Sequence, residues 1–265
     1  MAYTLPIETQ VEALPNAAVR DIGGVDVIAA RTPDVIALLE ANLAAGRFTR
    51  IGFLNAHCSN IAFERPAYRR CLQDFIVLPD GIGVDIASRI LFGERFPENL
   101  NGTDLTPAVL GGIGRPLRVA LLGAEPGIVE AAARNLGGEF PQHRFLAVSH
   151  GYFGVGDETA AVLEKLRQAR ADLVLVGLGV PRQEFFVATR ITAGEGCVVM
   201  AIGAFLDFAA GKVPRAPIWM RRSRLEWAYR LWIEPKRLWR RYVVGNPVFL
   251  FRILLLKLHG RKPKA

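Results

Sequence analysis

Asp80 is the residue of this sequence best placed to do chemistry. It stands directly after the apolar run FIVLP (residues 75–79) and before Gly81. A carboxylate at the end of a buried strand can take a proton from an attacking hydroxyl. The same residue would equally serve an Asp-Gly turn or cap the next helix. Asn55 ends the run IGFLN and offers an amide to a polar ligand, or simply turns the strand. In GLGVPRQE, Gly177 and Gly179 let the backbone approach a ligand, and Gln183 and Glu184 open a helix whose free N–H groups favour phosphate. In HGYFG, Tyr152 or Phe153 could stack on a flat ring or pack at the core edge. Asp207 in GAFLDF suits a ribose hydroxyl or a helix cap. His57, His143, His150 and His259 lack metal-ligand spacing, and no GxSxG or GxxxxGK[ST] motif occurs.

These residues need a scaffold that brings strand ends together. From Arg50 onward, continuously apolar runs of strand length alternate with helix-length stretches. The runs are IGFLN, FIVLP, LRVALLG, RFLAVS, DLVLVGLG and CVVMAIG; the stretches include NIAFERPAYRRCL, GIVEAAARNL and DETAAVLEKLRQAR. Strands covered on both faces read this way, so the pattern predicts an α/β fold with a doubly wound, mostly parallel, Rossmann-like sheet. Ligands of such sheets bind beyond the carboxyl ends of the strands, where all the candidates above lie. Upstream, VRDIGGVDVIA reads as two short strands around Gly-Gly. Thr32-Pro33-Asp34 reads as the start of a helix capped by Thr32 and stopping near Gly46.

The charge is uneven. Residues 212–265 hold 15 Lys/Arg against Glu226 and Glu234, a balance of +13, which leaves −5 for residues 1–211. The expected organisation is therefore an α/β catalytic core over residues 1–211 and a basic, helical appendage over 212–265. The appendage holds all four tryptophans among its arginines, and Pro235 should kink or restart its helix. Its last run, VFLFRILLLKL, is broken by Arg252 and Lys257 and is shorter than the ~20 residues that span a bilayer. Basic helices of this kind lie in the membrane interface, and Trp239, Arg240, Arg241, Phe249, Leu250, Leu254 and Lys257 are the expected membrane residues. Packing on the core or on a second copy of the chain is the alternative use of the same surface. Cys58, Cys71 and Cys197 form no CxxC pair, and the N-terminus has no signal-peptide pattern. Both fit a reducing cytosol.

In this order, LNAHCSN, LPDGIGV, NGTDL, GLGVPRQE and GAFLDFAAGKVPRAPIWMRRSRLEW with RLWIEPKRLWRRY resemble the WecG/TagA/CpsF family of bacterial glycosyltransferases, over roughly residues 20–250. The resemblance implies an inverting, metal-independent transferase with no cofactor, peripheral at the cytoplasmic face of the inner membrane. Its donor would be a UDP-sugar and its acceptor a polyprenyl-diphosphate-linked sugar. Asp80 would be the general base, with Asn55 beside it. Phe153, Gly177, Gln183 and Asp207 would bind the nucleotide, Asn101 and Asp104 would join the substrate site, and Arg215, Arg221, Arg222 and Arg224 would meet diphosphate charge. Within the family the chain looks closest to the exopolysaccharide branch, which implies β-1,4 transfer of glucose from UDP-glucose. The alternative is an N-acetylmannosamine or N-acetylmannosaminuronic acid donor. The absence of an Asp-x-Asp motif agrees with a metal-free reaction, in which arginines and helix N-termini stabilise the departing UDP. Two rivals fit less well. A nucleic-acid-binding module does not explain the apolar LLLKL, and a nucleotide-dependent oxidoreductase lacks a complete glycine fingerprint.

Overall fold

The computed structural model describes residues 3–4, 14, 17–223 and 225–259, without the side chains of residues 3, 4, 221 and 222. The strands are β1 (Tyr3–Thr4), β2 (Ala18–Asp21), β3 (Asp26–Ala29), β4 (Arg47–Leu54), β5 (Ile76–Pro79), β6 (Arg118–Gly123), β7 (Arg144–Ser149), β8 (Ala171–Gly177) and β9 (Gly196–Ala201). The helices of the body are α1 (Thr32–Ala45), α2 (Ala56–Glu64), α3 (Pro66–Leu72), α4 (Ile82–Phe92), α5 (Gly102–Gly112), α6 (Ile128–Glu139), α7 (Asp157–Ala169), α8 (Arg182–Arg190) and α9 (Phe205–Ala209).

All six expected apolar runs are strands of one parallel sheet, ordered β5-β4-β9-β8-β6-β7, and β1 adds a short pairing to β4. Alternate residues of each strand enter opposite layers. On one face Leu54, Leu122, Val174 and Val199 pack under α2, α4, α7 and α8; on the other Ile51, Leu121, Leu175 and Met200 pack under α1, α5 and α6. Burial on both faces explains why β4, β5, β6, β8 and β9 lack an apolar-polar alternation; the edge strand β7 is only partly covered. The hairpin β2-β3 is antiparallel, as its Gly-Gly turn implies.

Two local expectations change. Arg31, not Thr32, is the N-cap of α1: Asp34 accepts from the Arg31 N–H at 3.1 Å, and the Thr32 N–H goes to Glu98 at 2.6 Å. The stretch 60–72 is two helices, because Pro66 offers no N–H to continue the first one. Gly46 ends α1 in the left-handed conformation, as expected.

After α9 an irregular strap leads into α10 (Ile218–Arg222), α11 (Glu226–Ile233), α12 (Pro235–Trp239), a π-helical turn (Arg240–Val244) and α13 (Gly245–Leu258). Pro235 restarts the helix. Helix α13 returns to the body and packs on α2 and α4. Its Phe249 and Ile253 are buried in the body's core layer. Asn60 donates to Gly245 O at 2.8 Å, and Arg252 reaches Asn60 Oδ1 and Glu64 Oε1 at 2.9 and 3.0 Å. No helix among the described residues is long and apolar enough to cross a membrane.

Candidate active site

The carboxyl ends of the sheet open into one cavity of about 800 Å³, walled on its far side by the appendage. Every strand end contributes: Asn55 after β4, Asp80 after β5, Glu125 after β6, Tyr152 after β7, Gly179 after β8 and Asp207 after β9. Glycines make the floor possible. A Cβ on Gly123 would lie 2.3 Å from Gly177 O, and one on Gly177 would lie 2.8 Å from Gly203 O. Neither gap admits a side chain.

Asp80 faces this cavity. The next residue, Gly81, has φ 90°, turns the chain sharply and is itself the N-cap of α4. The Asp80 carboxylate is therefore not consumed as a cap. Its Oδ2 accepts from Asn55 Nδ2 at 2.9 Å, while Asn55 Oδ1 accepts from Cys58 N at 3.0 Å. Asn55 thus caps α2 with one end of its amide and orients Asp80 with the other. Burial raises the Asp80 pKa above the usual carboxylate range; the Asn55 hydrogen bond and the charges of Arg241 and Arg230 oppose this, and Asp104 adds to it. Such a base holds its proton more readily than an exposed aspartate, which suits proton abstraction near neutral pH.

The opposite wall is cationic and aromatic. Arg230, Arg237, Arg240 and Arg241, with Trp227 and Tyr242, line the cavity across from Asp80. His57 lines it too; burial and then Arg241 lower its pKa to about 4, so it is neutral at physiological pH. A half-buried carboxylate facing a cluster of guanidinium groups is an arrangement able to move a proton beside a polyanion.

Comparison with known proteins agrees with that chemistry. The model of the glycosyl transferase WecG/TagA/CpsF family matches residues 20–263. The chain belongs to that family. A Bacillus subtilis (strain 168) N-acetylglucosaminyldiphosphoundecaprenol N-acetyl-beta-D-mannosaminyltransferase is 36% identical over 67% of this chain and 68% of its own length. A Staphylococcus aureus (strain NCTC 8325) protein of the same name is 31% identical over 96% of this chain and 99% of its own. The protein is a glycosyltransferase, and the rival nucleic-acid and oxidoreductase readings fall away.

Within this family member, the expected site residues divide into three groups. Asn55, Asp80, Asn101, Asp104, Gly177, Gln183 and Asp207 all line the cavity. Asn101 caps α5, accepting from the N–H groups of Thr103 and Asp104 at 3.0 and 2.9 Å, and donates to Asp104 Oδ2 at 2.8 Å. Gln183 is buried, gives its amide to Glu184 and Ala201 O, and keeps Oε1 without a partner among the described residues. Asp207 sits 3.6 Å from Lys212, which also pairs with Glu125 at 2.9 Å.

The second group is displaced. Phe153 packs edge-on against Phe186 beneath the Arg182 guanidinium, as part of the core, and Tyr152 is the exposed ring at the cavity. Arg215 is absent from the lining and is engaged with Asp104 and Glu226. Of the expected membrane residues, Arg240 and Arg241 face the cavity. Phe249 is buried and Leu250 half-buried against the core, because the apolar face of α13 is what seats that helix on α2 and α4. Lys257 Nζ bonds Leu91 O at 3.1 Å; Trp239 and Leu254 are exposed. In the third group, Arg224 and the side chains of Arg221 and Arg222 lie outside the described residues.

Sequence reasoning missed Arg230 and Arg237 as cavity residues. The spacing carries no signal for Arg230, because the break at Pro235 separates its helix from that of Arg237.

Proposed function

We propose that this chain transfers an N-acetylmannosaminyl group from its UDP donor to N-acetylglucosaminyl-diphospho-polyprenol, with inversion at the anomeric carbon. The relatives' names support this acceptor and donor over the glucosyl transfer that the exopolysaccharide branch implies. The observation that carries the reaction type is Asp80, held by Asn55 and facing four arginines across one cavity. Asp80 takes the proton of the acceptor hydroxyl as that oxygen attacks the donor's anomeric carbon. The bond from that carbon to the β-phosphate oxygen breaks, and its electron pair leaves with UDP. Arg230, Arg237, Arg240 and Arg241 supply the positive charge that departing UDP and the acceptor's own diphosphate require. Tyr152, Gln183 and Asp207 form the nucleoside end of the cavity, where the enclosed Gln183 Oε1 has no partner among the described residues.

The lipid acceptor explains the outer side of α13. Phe251, Leu254, Leu255 and Leu258 are exposed along it, beside the exposed Phe63 of α2. These residues support a peripheral seat on the cytoplasmic face of an anionic membrane. Transfer is measured with UDP-N-acetylmannosamine, UDP-N-acetylglucosamine and UDP-glucose, each with a short-chain polyprenyl diphosphate carrying N-acetylglucosamine, with and without EDTA. Product from the N-acetylmannosamine donor alone, at a rate unaltered by EDTA, is the expected result. Product from UDP-glucose alone would return the donor assignment to the glucosyl branch.

A further inference from the structure

Arg215 lies on the strap between the body and the helices that carry the cavity arginines, and its guanidinium contacts both, through hydrogen bonds to the body and an ion-pair contact to the appendage. Nη1 donates to Thr103 O at 3.2 Å, Nη2 to Asp104 Oδ1 at 2.7 Å, and Nε lies 3.4 Å from Glu226 Oε1. Thr103 and Asp104 belong to the first turn of α5, in the body; Glu226 is the first residue of α11, in the appendage. The same guanidinium sits 5.4 Å from the centre of the Phe208 ring, which also takes the Arg230 guanidinium at 5.5 Å. Arg230 follows Glu226 by four residues, one helical turn, so the contact at Glu226 fixes the height and rotation at which Arg230 meets the cavity.

Apolar packing does that work for α11 only in part, its residues other than Trp232 being half-buried. None of its side chains is buried, although it carries two tryptophans. Asp104, in turn, is held by Asn101 Nδ2, so the body's half of the contact is set before the appendage arrives. Isolated exposed ion pairs contribute little, but here one guanidinium joins two carboxylates, a carbonyl and a ring, with only about a quarter of its side chain exposed.

We propose that Arg215 is a positioning residue, a latch that docks the arginine-bearing helices on the body and acts on transfer through Arg230 and its neighbours without touching phosphate. The inference rests on the assignment of those arginines to substrate charge. Free of Arg215, Glu226 would keep a half-buried carboxylate near Asp104 and Asp80, and α11 would lose its ion-pair contact with the body.

The test uses the full-length protein with Arg215→Ala, Arg215→Lys and Glu226→Gln. It reads hydrogen exchange of the amides of residues 226–242 beside kcat and the acceptor KM. For Arg215→Ala the expected result is exchange in 226–242 faster by tenfold or more with β6 and β8 still protected, kcat lowered and acceptor KM raised, each about tenfold. Arg215→Lys should recover part of both effects. Glu226→Gln removes one charge from the appendage side, leaves the body intact, and should move the same amides in the same direction even if Arg215→Ala fails to fold. Lost turnover with unchanged exchange would mean that Arg215 meets the substrate directly, and unchanged turnover with unchanged exchange would mean that it does neither; each overturns the latch. If the wild-type protein transfers no sugar from any donor, the proposed function fails, and the exchange of 226–242 still decides the latch.

Discussion

In the body, side chains of the central strands such as Ile51, Leu121, Leu175 and Met200 are fully enclosed, and the strand ends they support are fixed by packing on both faces. Across the cavity, α11 and the π-helical turn bury no side chain, α12 buries only Leu238, and α13 is seated through Phe249 and Ile253. One half of the site is therefore positioned by apolar burial and the other by ion pairs, ring contacts and a helix that returns to the core. The division suits the chemistry. A base must be partly desolvated to hold a raised pKa, which only a packed body provides. In the proposed reaction the cations would meet two diphosphates, one of a water-soluble donor and one of a lipid-linked acceptor, which calls for a solvated surface.

The sharpest way to break this comparison is at α13. Phe249→Ala should destabilise the protein by about 3–5 kcal/mol, because the ring fills a closed site beside Gly83 and Ala56 and a cavity would remain. Urea unfolding measures it, and a change under about 1 kcal/mol would mean that α13 is detachable. The next effect belongs to the cationic wall. Arg230→Ala combined with Arg237→Ala should lower turnover 100-fold or more, about 2.7 kcal/mol, with unfolding unchanged. Unfolding along with loss of activity would show that the wall is part of the packed core.

A third prediction concerns a buried acid of the body. Burial raises the Glu184 pKa to about 7, against the hydrogen bond from Gln183 that lowers it. The fold favours the protonated form, so the stability this group contributes is fully present below about pH 4.5 and is lost as pH rises through about 7. Wild-type stability should fall by about 2 kcal/mol between about pH 5 and 8 relative to Glu184→Gln, which removes the titration. Denaturant midpoints of both proteins across that range decide it; parallel curves would show that Glu184 is not the group. The smallest effect lies on the outer face of α13. Leu254→Ser with Leu258→Ser should leave stability within about 0.5 kcal/mol and weaken co-sedimentation with anionic vesicles. Vesicle binding equal to wild type would remove this face from the membrane contact.

The two halves also differed in how far sequence disclosed them. Five of the six strands were readable because strands buried on both faces are continuously apolar, and the edge strand β7 by its apolar run alone; their carboxyl ends pointed to Asn55, Asp80, Gln183 and Asp207 without knowledge of any contact. The choice between Tyr152 and Phe153 was not readable, since adjacent rings point to opposite sides and only Phe186 and Arg182 show which is inward. The appendage was least readable. Without a buried stripe, α11 and α12 carry no pattern that says which face meets the body. Arg240 and Arg241 therefore looked like membrane residues, and Phe249 looked like lipid contact when it is core.

Single-turnover transfer by Asp80→Asn, with UDP binding and thermal unfolding measured on the same preparation, tests the central claim most directly. The substitution keeps the shape and the neighbour Asn55 and removes only the proton acceptor, along with a carboxylate whose burial is costly. Transfer should fall 100-fold or more with UDP affinity unchanged and melting no lower than wild type, and the acid limb of the wild-type rate should lie above the usual carboxylate range. Transfer by Asp80→Asn at a rate near wild type would contradict the account.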